Sequence, residues 1–341
     1  MLTRRSLLAS SAATLGTPAL LTEARGATPK GVAVMAKQID DIVSFDPAES
    51  YEFTNGEVDA NCYRRLIRPN LDDATKIEGD LAETWDISLD GLTYRFKLRR
   101  DAKFDSGNPV TAHDAAFSLQ RVVKLNKTPG FIITQFGFNA DNVEANIRAL
   151  DDYTLEMKLP NEAEATSFVL YCLSANVGSV VDMKTAMANQ ANGDLGNAWL
   201  KSRTAGAGAY KLTEWAASDH VIIDANPHAA EKGVMRRIVL RHVADPAAQL
   251  LLLQKGDVDI ARELGSDQLK TIANDKDLTV ASAPQGTSMY RQWTRPCRNC
   301  RSNRCIRRSS GRSIMMRSPA TSPREPGASL KPSCPMHCRA R

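Results

Sequence analysis

The sequence predicts a mixed α/β fold for its first 290 residues, and three observations predict it. Segments with the two-residue period of strands alternate with segments of helical period. Cap and turn residues stand where the period changes. The composition that can build a core then stops near residue 290, where apolar residues give way to Arg, Ser, Pro and Cys.

The strands come first. Val32-Ala33-Val34-Met35-Ala36 reads as a buried strand. Thr93-Tyr94-Arg95-Phe96-Lys97-Leu98-Arg99 alternates apolar and basic residues, as a strand with one wet face does. Tyr153 to Leu159 repeats the alternation and ends at Pro160; Tyr210 to Trp215, His220 to Ala225 and Arg237 to Val243 give three more. Asp257-Val258-Asp259-Ile260 reads as a further short strand.

Two helices are marked at their ends. Thr111 caps one running from Asp114 to Val123, with acidic Asp114 in the first turn. Asp245 caps another and Pro246 takes its first position, where a missing N–H costs nothing. Its apolar run, Ala247 to Leu253, stops at Lys255-Gly256, where glycine suits a left-handed C-cap. Asp90-Gly91 is a hairpin turn pair, and Ser106-Gly107-Asn108-Pro109 is a second turn just before the capped helix.

Charge and cysteine divide the chain at one place. Twelve arginines and Lys331 fall between Arg291 and Arg341, against a single acid, Glu325. The 290 residues before them carry 31 basic and 38 acidic side chains, a net charge of −7. An acidic body argues against binding a phosphate backbone, which needs clustered Lys and Arg. Only Cys62 and Cys172 lie in that body, and they read as buried free thiols; Cys297, Cys300, Cys305, Cys334 and Cys338 crowd the tail. No apolar run reaches the ~18 residues of a membrane span.

Residues 1–26 have the three-part form of an export signal. Arg4 and Arg5 give the positive start, Ser6 to Leu21 the uncharged stretch, and Ala24-Arg25-Gly26 the small residues before a cut near Gly26. Thr3-Arg4-Arg5-Ser6-Leu7-Leu8 resembles a twin-arginine signal; an ordinary Sec signal containing two arginines is the other reading. Either predicts a mature protein free in the bacterial periplasm.

Several segments in order resemble the family 5 extracellular solute-binding proteins, the dipeptide- and oligopeptide-binding components of ABC transporters. The longest is Asp80-Leu81-Ala82-Glu83-Thr84-Trp85, then Asp90-Gly91-Leu92-Thr93-Tyr94-Arg95-Phe96-Lys97-Leu98-Arg99, then Lys103-Phe104-Asp105-Ser106-Gly107-Asn108-Pro109-Val110-Thr111-Ala112-His113-Asp114. Gly206-Ala207-Gly208-Ala209-Tyr210 with Asn226-Pro227, Gln254-Lys255-Gly256-Asp257-Val258-Asp259, and Ser44-Phe45-Asp46-Pro47-Ala48 are the others. The resemblance covers about residues 31 to 290.

The resemblance implies a periplasmic-binding-protein-like fold of the two-lobed, Venus-flytrap type, with 27–290 forming lobe I and the start of the inter-lobe region. The second lobe is then largely missing from this chain. It implies ligand capture by lobe closure, delivery to an ABC transporter permease in the inner membrane, a monomer, and no cofactor, catalysis or nucleic-acid partner. In the peptide binders of this family, the loop after Asp46-Pro47 pairs with an extended ligand. By position that loop is Glu49 to Asn55, so the candidate ligand-binding residues are Tyr51, Glu52, Phe53 and Thr54, with Glu52 facing an amine. The competing reading makes Tyr51 and Phe53 core anchors and leaves Glu52 solvated. Family members also take nickel chelates, opines and sugars, which are the alternative ligands.

Residues 291–341 follow no family pattern. Only Ile306, Ile314 and Leu330 represent Val, Ile, Leu and Phe there, too little apolar area to offset the entropy of ordering. Such composition is also what a GC-rich gene gives when read out of frame, so the expectation is a frameshift near residue 291 or a disordered tail. A truncated product of this kind would bind its solute weakly or not at all. Cys297-x-x-Cys300 with Cys305, Cys334 and His337-Cys338 superficially suggests zinc, but four prolines interrupt the gap and no knuckle hairpin is evident. An exported enzyme, or an interaction protein with a zinc-binding tail, is the rival from another class. The five histidines form no metal or nucleophile motif, and no G-x-S-x-G, H-E-x-x-H or P-loop occurs.

Overall fold

The computed structural model describes residues 28–70, 72–73, 75–161, 166–273 and 275–281, with the backbone of Tyr290–Arg291 and Ile314–Met315. The segment predicted to be an export signal, the cysteines of the tail and most of 291–341 lie outside the described residues. The chain divides into two units, Met1–Val280 and Ala281–Arg341.

In the first unit the chain runs through β1 (Val32–Lys37), α1 (Phe53–Cys62), β2 (Arg64–Arg65), β3 (Ile67–Pro69), β4 (Ile77–Gly79), β5 (Ala82–Ile87) and β6 (Thr93–Leu98). It continues with α2 (Ala112–Leu125), α3 (Phe131–Thr134), α4 (Val143–Asn146), β7 (Ile147–Asp151), β8 (Thr154–Lys158), α5 (Thr166–Ser174) and β9 (Ser179–Val180). Then come α6 (Met183–Ala188), α7 (Asn197–Leu200), β10 (Tyr210–Ala216), β11 (His220–Ala225), β12 (Arg237–His242), α8 (Pro246–Lys255), β13 (Ile260–Ala261) and α9 (Ser266–Ile272). In the second unit, β14 (Tyr290–Arg291) pairs antiparallel with β15 (Ile314–Met315).

Two sheets carry the first unit. One has the order β10-β11-β12-β1-β13, antiparallel from β10 to β12 and parallel through β12, β1 and β13. The other is antiparallel, β5-β6-β8-β7. Each has its own core. Tyr94, Phe96, Leu98, Leu155 and Met157 pack with Leu119, Val122 and Val169 of α2 and α5. Ile39, Phe45, Val58, Cys62, Tyr210, Val221, Ile223 and Leu240 form the second. The alternation read in 93–99 is real: Tyr94, Phe96 and Leu98 are buried while Arg95 and Lys97 are exposed.

The punctuation residues act as their chemistry predicts. Thr111 and Asp114 form a reciprocal capping box on α2, Thr111 Oγ1 accepting from Asp114 N–H and Asp114 Oδ2 accepting from Thr111 N–H. Asp245 caps α8 through Ala248 N–H, and Gly256 ends it at φ +79°. Cys62 and Cys172 are both buried free thiols.

Three expectations need correction. The predicted strand at 257–260 begins later, because Asp259 turns its carboxylate onto Val34 N–H (2.7 Å) and Thr28 (2.7 Å), leaving Ile260–Ala261 to pair with β1. β1 is half-buried along Val32–Met35 rather than wholly buried. The predicted loop 49–55 ends early, since α1 already begins at Phe53.

Candidate functional site

The segment Ser44–Glu52 leads from the β1 side of the first sheet into α1, and Asp46 holds it in place. Asp46 is fully buried; its Oδ1 accepts from Ala48 N–H (2.9 Å) and Arg121 Nη1 (2.6 Å). Its Oδ2 accepts from Arg121 Nη2 (2.7 Å) and Asn197 Nδ2 (2.7 Å). Its carbonyl takes Glu49 N–H and Ser50 N–H, so one residue closes the turn from side chain and backbone together. Ser50 then donates to Asp59 at 2.6 Å and Asn55 to Ser44 O at 2.7 Å, tying the first turns of α1 back onto the turn.

Beside this ledge lies a hollow of about 400 Å³, lined by Tyr51, Glu52, Phe53, Glu57, Ile132 and Asn176 among others. Tyr51 is 53% and Phe53 82% exposed, so neither anchors the core. Tyr51 meets Phe131 edge to face at 5.9 Å, which fixes one ring of the wall. Thr54 is buried, on the face of α1 turned away from the hollow's lining. Three of the four sequence-predicted residues thus come together on one concave wall; Thr54 does not.

Glu52 is the N-cap of α1 but makes no side-chain cap bond. Its Oε2 accepts from Tyr51 N–H (3.2 Å) and Asn55 Nδ2 (3.1 Å), and among the described residues no cation pairs with it. Glu57 differs. Burial works to raise its pKa, but Lys37 (2.7 Å) and Arg262 (2.7 Å) outweigh that and hold it below the usual glutamate range. Asp59, beneath the wall, is pushed well above the usual range by burial, and neighbouring Asp46 adds to the push against the Ser50 hydrogen bond. The wall therefore offers apolar surface with one unneutralised carboxylate at its rim.

Sequence reading missed the far side of the hollow. Pro129, Ile132, Asn176 and Val177 reach it from segments more than seventy residues away, and no local pattern marks them. Asn176 is fixed by donating to Gly56 O at 3.2 Å, and a Cβ on Gly56 would stand 2.7 Å from its amide nitrogen.

Residues 76–294 match the family model described as bacterial extracellular solute-binding proteins, family 5 Middle. The chain belongs to that family. Among family relatives, the probable D,D-dipeptide-binding periplasmic protein DdpA of Escherichia coli is 30% identical over 268 residues, covering 76% of this chain and 49% of that protein. The periplasmic oligopeptide-binding protein OppA of Escherichia coli is 26% identical over 282 residues, covering 76% and 49%. In fold, the chain matches the periplasmic binding protein DppA from Helicobacter pylori in complex with peptide STSA, with a TM-score of 0.60 and 24% identity over 71% of this chain and 48% of that one. The family's periplasmic-binding-protein fold is thus confirmed, and the chain spans about half the length of the curated relatives it matches.

Proposed function

We propose that this chain is the lobe I part of an exported solute-binding protein that captures peptides in the periplasm for an ABC transporter permease in the inner membrane. Tyr51, Glu52 and Phe53 are its ligand-facing residues. The observation that carries the reading is the Glu52 carboxylate, which no cation pairs among the described residues, set on the rim of an apolar hollow in a family 5 fold. A peptide has what this wall lacks: an ammonium for Glu52 and apolar side chains for Tyr51 and Phe53. The relatives at 30% and 26% identity are named as dipeptide- and oligopeptide-binding proteins, which supports the same class. Residues 1–26 serve as the twin-arginine-like export signal, 27–290 as the family body and 291–341 as a segment outside it.

The test is calorimetric titration of the full chain with a short apolar peptide bearing a free amino terminus, and with its N-acetylated form. Weak binding of the free-amine form alone, as a chain half the length of its relatives would give, and a further loss of about tenfold (about 1.4 kcal/mol) with Glu52→Gln, is expected. Equal binding of the acetylated form would remove Glu52 from the site.

A further inference from the structure

At the other end of α1 lies a second hollow, of about 540 Å³, which shares Ala60 with the first and is lined by Arg64, Arg65, Arg68, Asp80 and Glu231 among others. Three arginines within five residues line one concavity, and none belongs to the wall described above. Arg65 is committed elsewhere, donating Nη1 to Ser174 O at 2.6 Å. Arg64 is almost wholly buried; its Nε lies 2.7 Å from Asp80 Oδ1, and its Nη2 points across the hollow to Glu231 Oε1 at 2.8 Å. Arg68 gives Nε to Glu78 (2.8 Å) and sets Nη1 4.0 Å from Glu231 Oε2.

Glu231 does not belong to the hollow in the way the arginines do. Its side chain is 59% exposed and reaches in from an irregular segment between β11 and β12. That segment is pinned on either side, by Ala229 N–H on Asn226 O and by Met235 N–H on the Tyr210 hydroxyl, so Glu231 rides on an exposed arch. The Arg64 hydrogen bond foremost, with the charges of Arg68 and Arg99, holds its carboxyl below the usual glutamate range. A carboxylate is thus the group this hollow selects from the chain itself. Two guanidinium groups meeting one planar oxyanion is also the arrangement arginine favours over lysine.

We propose that the Arg64–Arg68 hollow is a binding site for small carboxylates, closed in this structure by the chain's own Glu231. A guest carboxylate takes the place of Glu231 on Arg64 Nη2 and Arg68 Nη1, and the arch swings out to solvent. Because Glu231 is tethered, it competes at an effective concentration in the mM range for a short linker, so the unaltered chain binds such guests weakly. Removing its charge leaves the guanidinium groups to the guest. The proposal is independent of what the Tyr51–Glu52–Phe53 wall binds.

The test is titration of the full chain with succinate at fixed ionic strength, beside its uncharged analogue succinamide. Glu231→Gln is expected to bind succinate at least tenfold more tightly than the unaltered chain, with no binding of succinamide. Arg68→Ala, at a partly exposed side chain and with folding checked by circular dichroism, is expected to abolish that gain when added to Glu231→Gln. Equal succinate affinity with and without Glu231, no binding by a folded Glu231→Gln chain, or indifference to Arg68→Ala would each overturn the proposal.

Discussion

Asp105 stands half-buried in the turn that precedes α2, its N–H on Gly206 O at 2.9 Å, and burial raises its pKa to about 6 against the opposing charge of Lys211. The unfolded chain releases this proton near the ordinary value of about 3.9. Between those values the folded state holds more protons than the unfolded one, so stability falls as pH rises from about 4 to about 6 and stays lowered above that. Asp105→Asn is therefore expected to melt with the unaltered chain at pH 4 and above it at pH 7, in paired thermal scans. A gain at pH 4 equal to that at pH 7 would show that charge is not the cause. Sequence reading gave Asp105 only as one residue of the family-like segment before the capped helix, because its contacts with residues 206 and 211 are invisible locally. Resemblance singled out Tyr51, Glu52 and Phe53 as candidates, whereas whether the Tyr51 and Phe53 rings face core or solvent depends on how α1 is seated.

At the scale of elements, α2 and α1 show what sequence reveals and what it hides. α2 declares itself by a capping box, an apolar stripe and basic Lys124 in the last turn. α1 reads Phe-Thr-Asn-Gly-Glu-Val-Asp-Ala-Asn-Cys, poor in strong helix formers and without a side-chain cap, so its first turn passed for loop. It is helical because its surroundings hold it: Asn55 on Ser44 O, Asp59 under Ser50, and Gly208 N–H on Cys62 O at its C-terminal end. That last contact needs glycine, since a Cβ on Gly208 would stand 2.2 Å from Asn61 O and 2.5 Å from the Cys62 carbonyl carbon. Gly208→Ala is expected to cost ~1–3 kcal/mol as an overpacking change. Thr111→Ala is expected to cost ~1 kcal/mol as a lost cap. Only Gly208→Ala should also weaken peptide binding, because only it pushes on the helix that carries Phe53. Urea melts with peptide titrations check both, and equal effects on binding would unseat that division.

For the first unit as a whole, the question is what makes two sheets with separate cores into one body. Phe45 belongs to the core of the β1 sheet, and Leu119 and Val122 to the core of the β5–β8 sheet. Their neighbours Asp46 and Arg121 meet in a bidentate ion pair with side chains 0% and 1% exposed. Such a pair gives up hydration on both sides, so as a unit it adds little net stability, but removing one partner strands a buried charge. Asn197 and Glu49 extend the network without supplying a second cation to replace Arg121 on Asp46. Arg121→Met is accordingly expected to cost ~3–5 kcal/mol, and Asp46→Asn a comparable amount. The double variant should recover much of that loss, because neither charge is then left alone. The coupling is read from a double-mutant cycle in urea, followed by Trp199 and Trp215 fluorescence and by far-ultraviolet circular dichroism. Because Asp46 also closes the turn that presents Tyr51 and Glu52, each single variant should lose peptide binding before it loses its fold. Strictly additive costs would mean that the two charges act separately, and the two cores would then be joined by apolar packing alone.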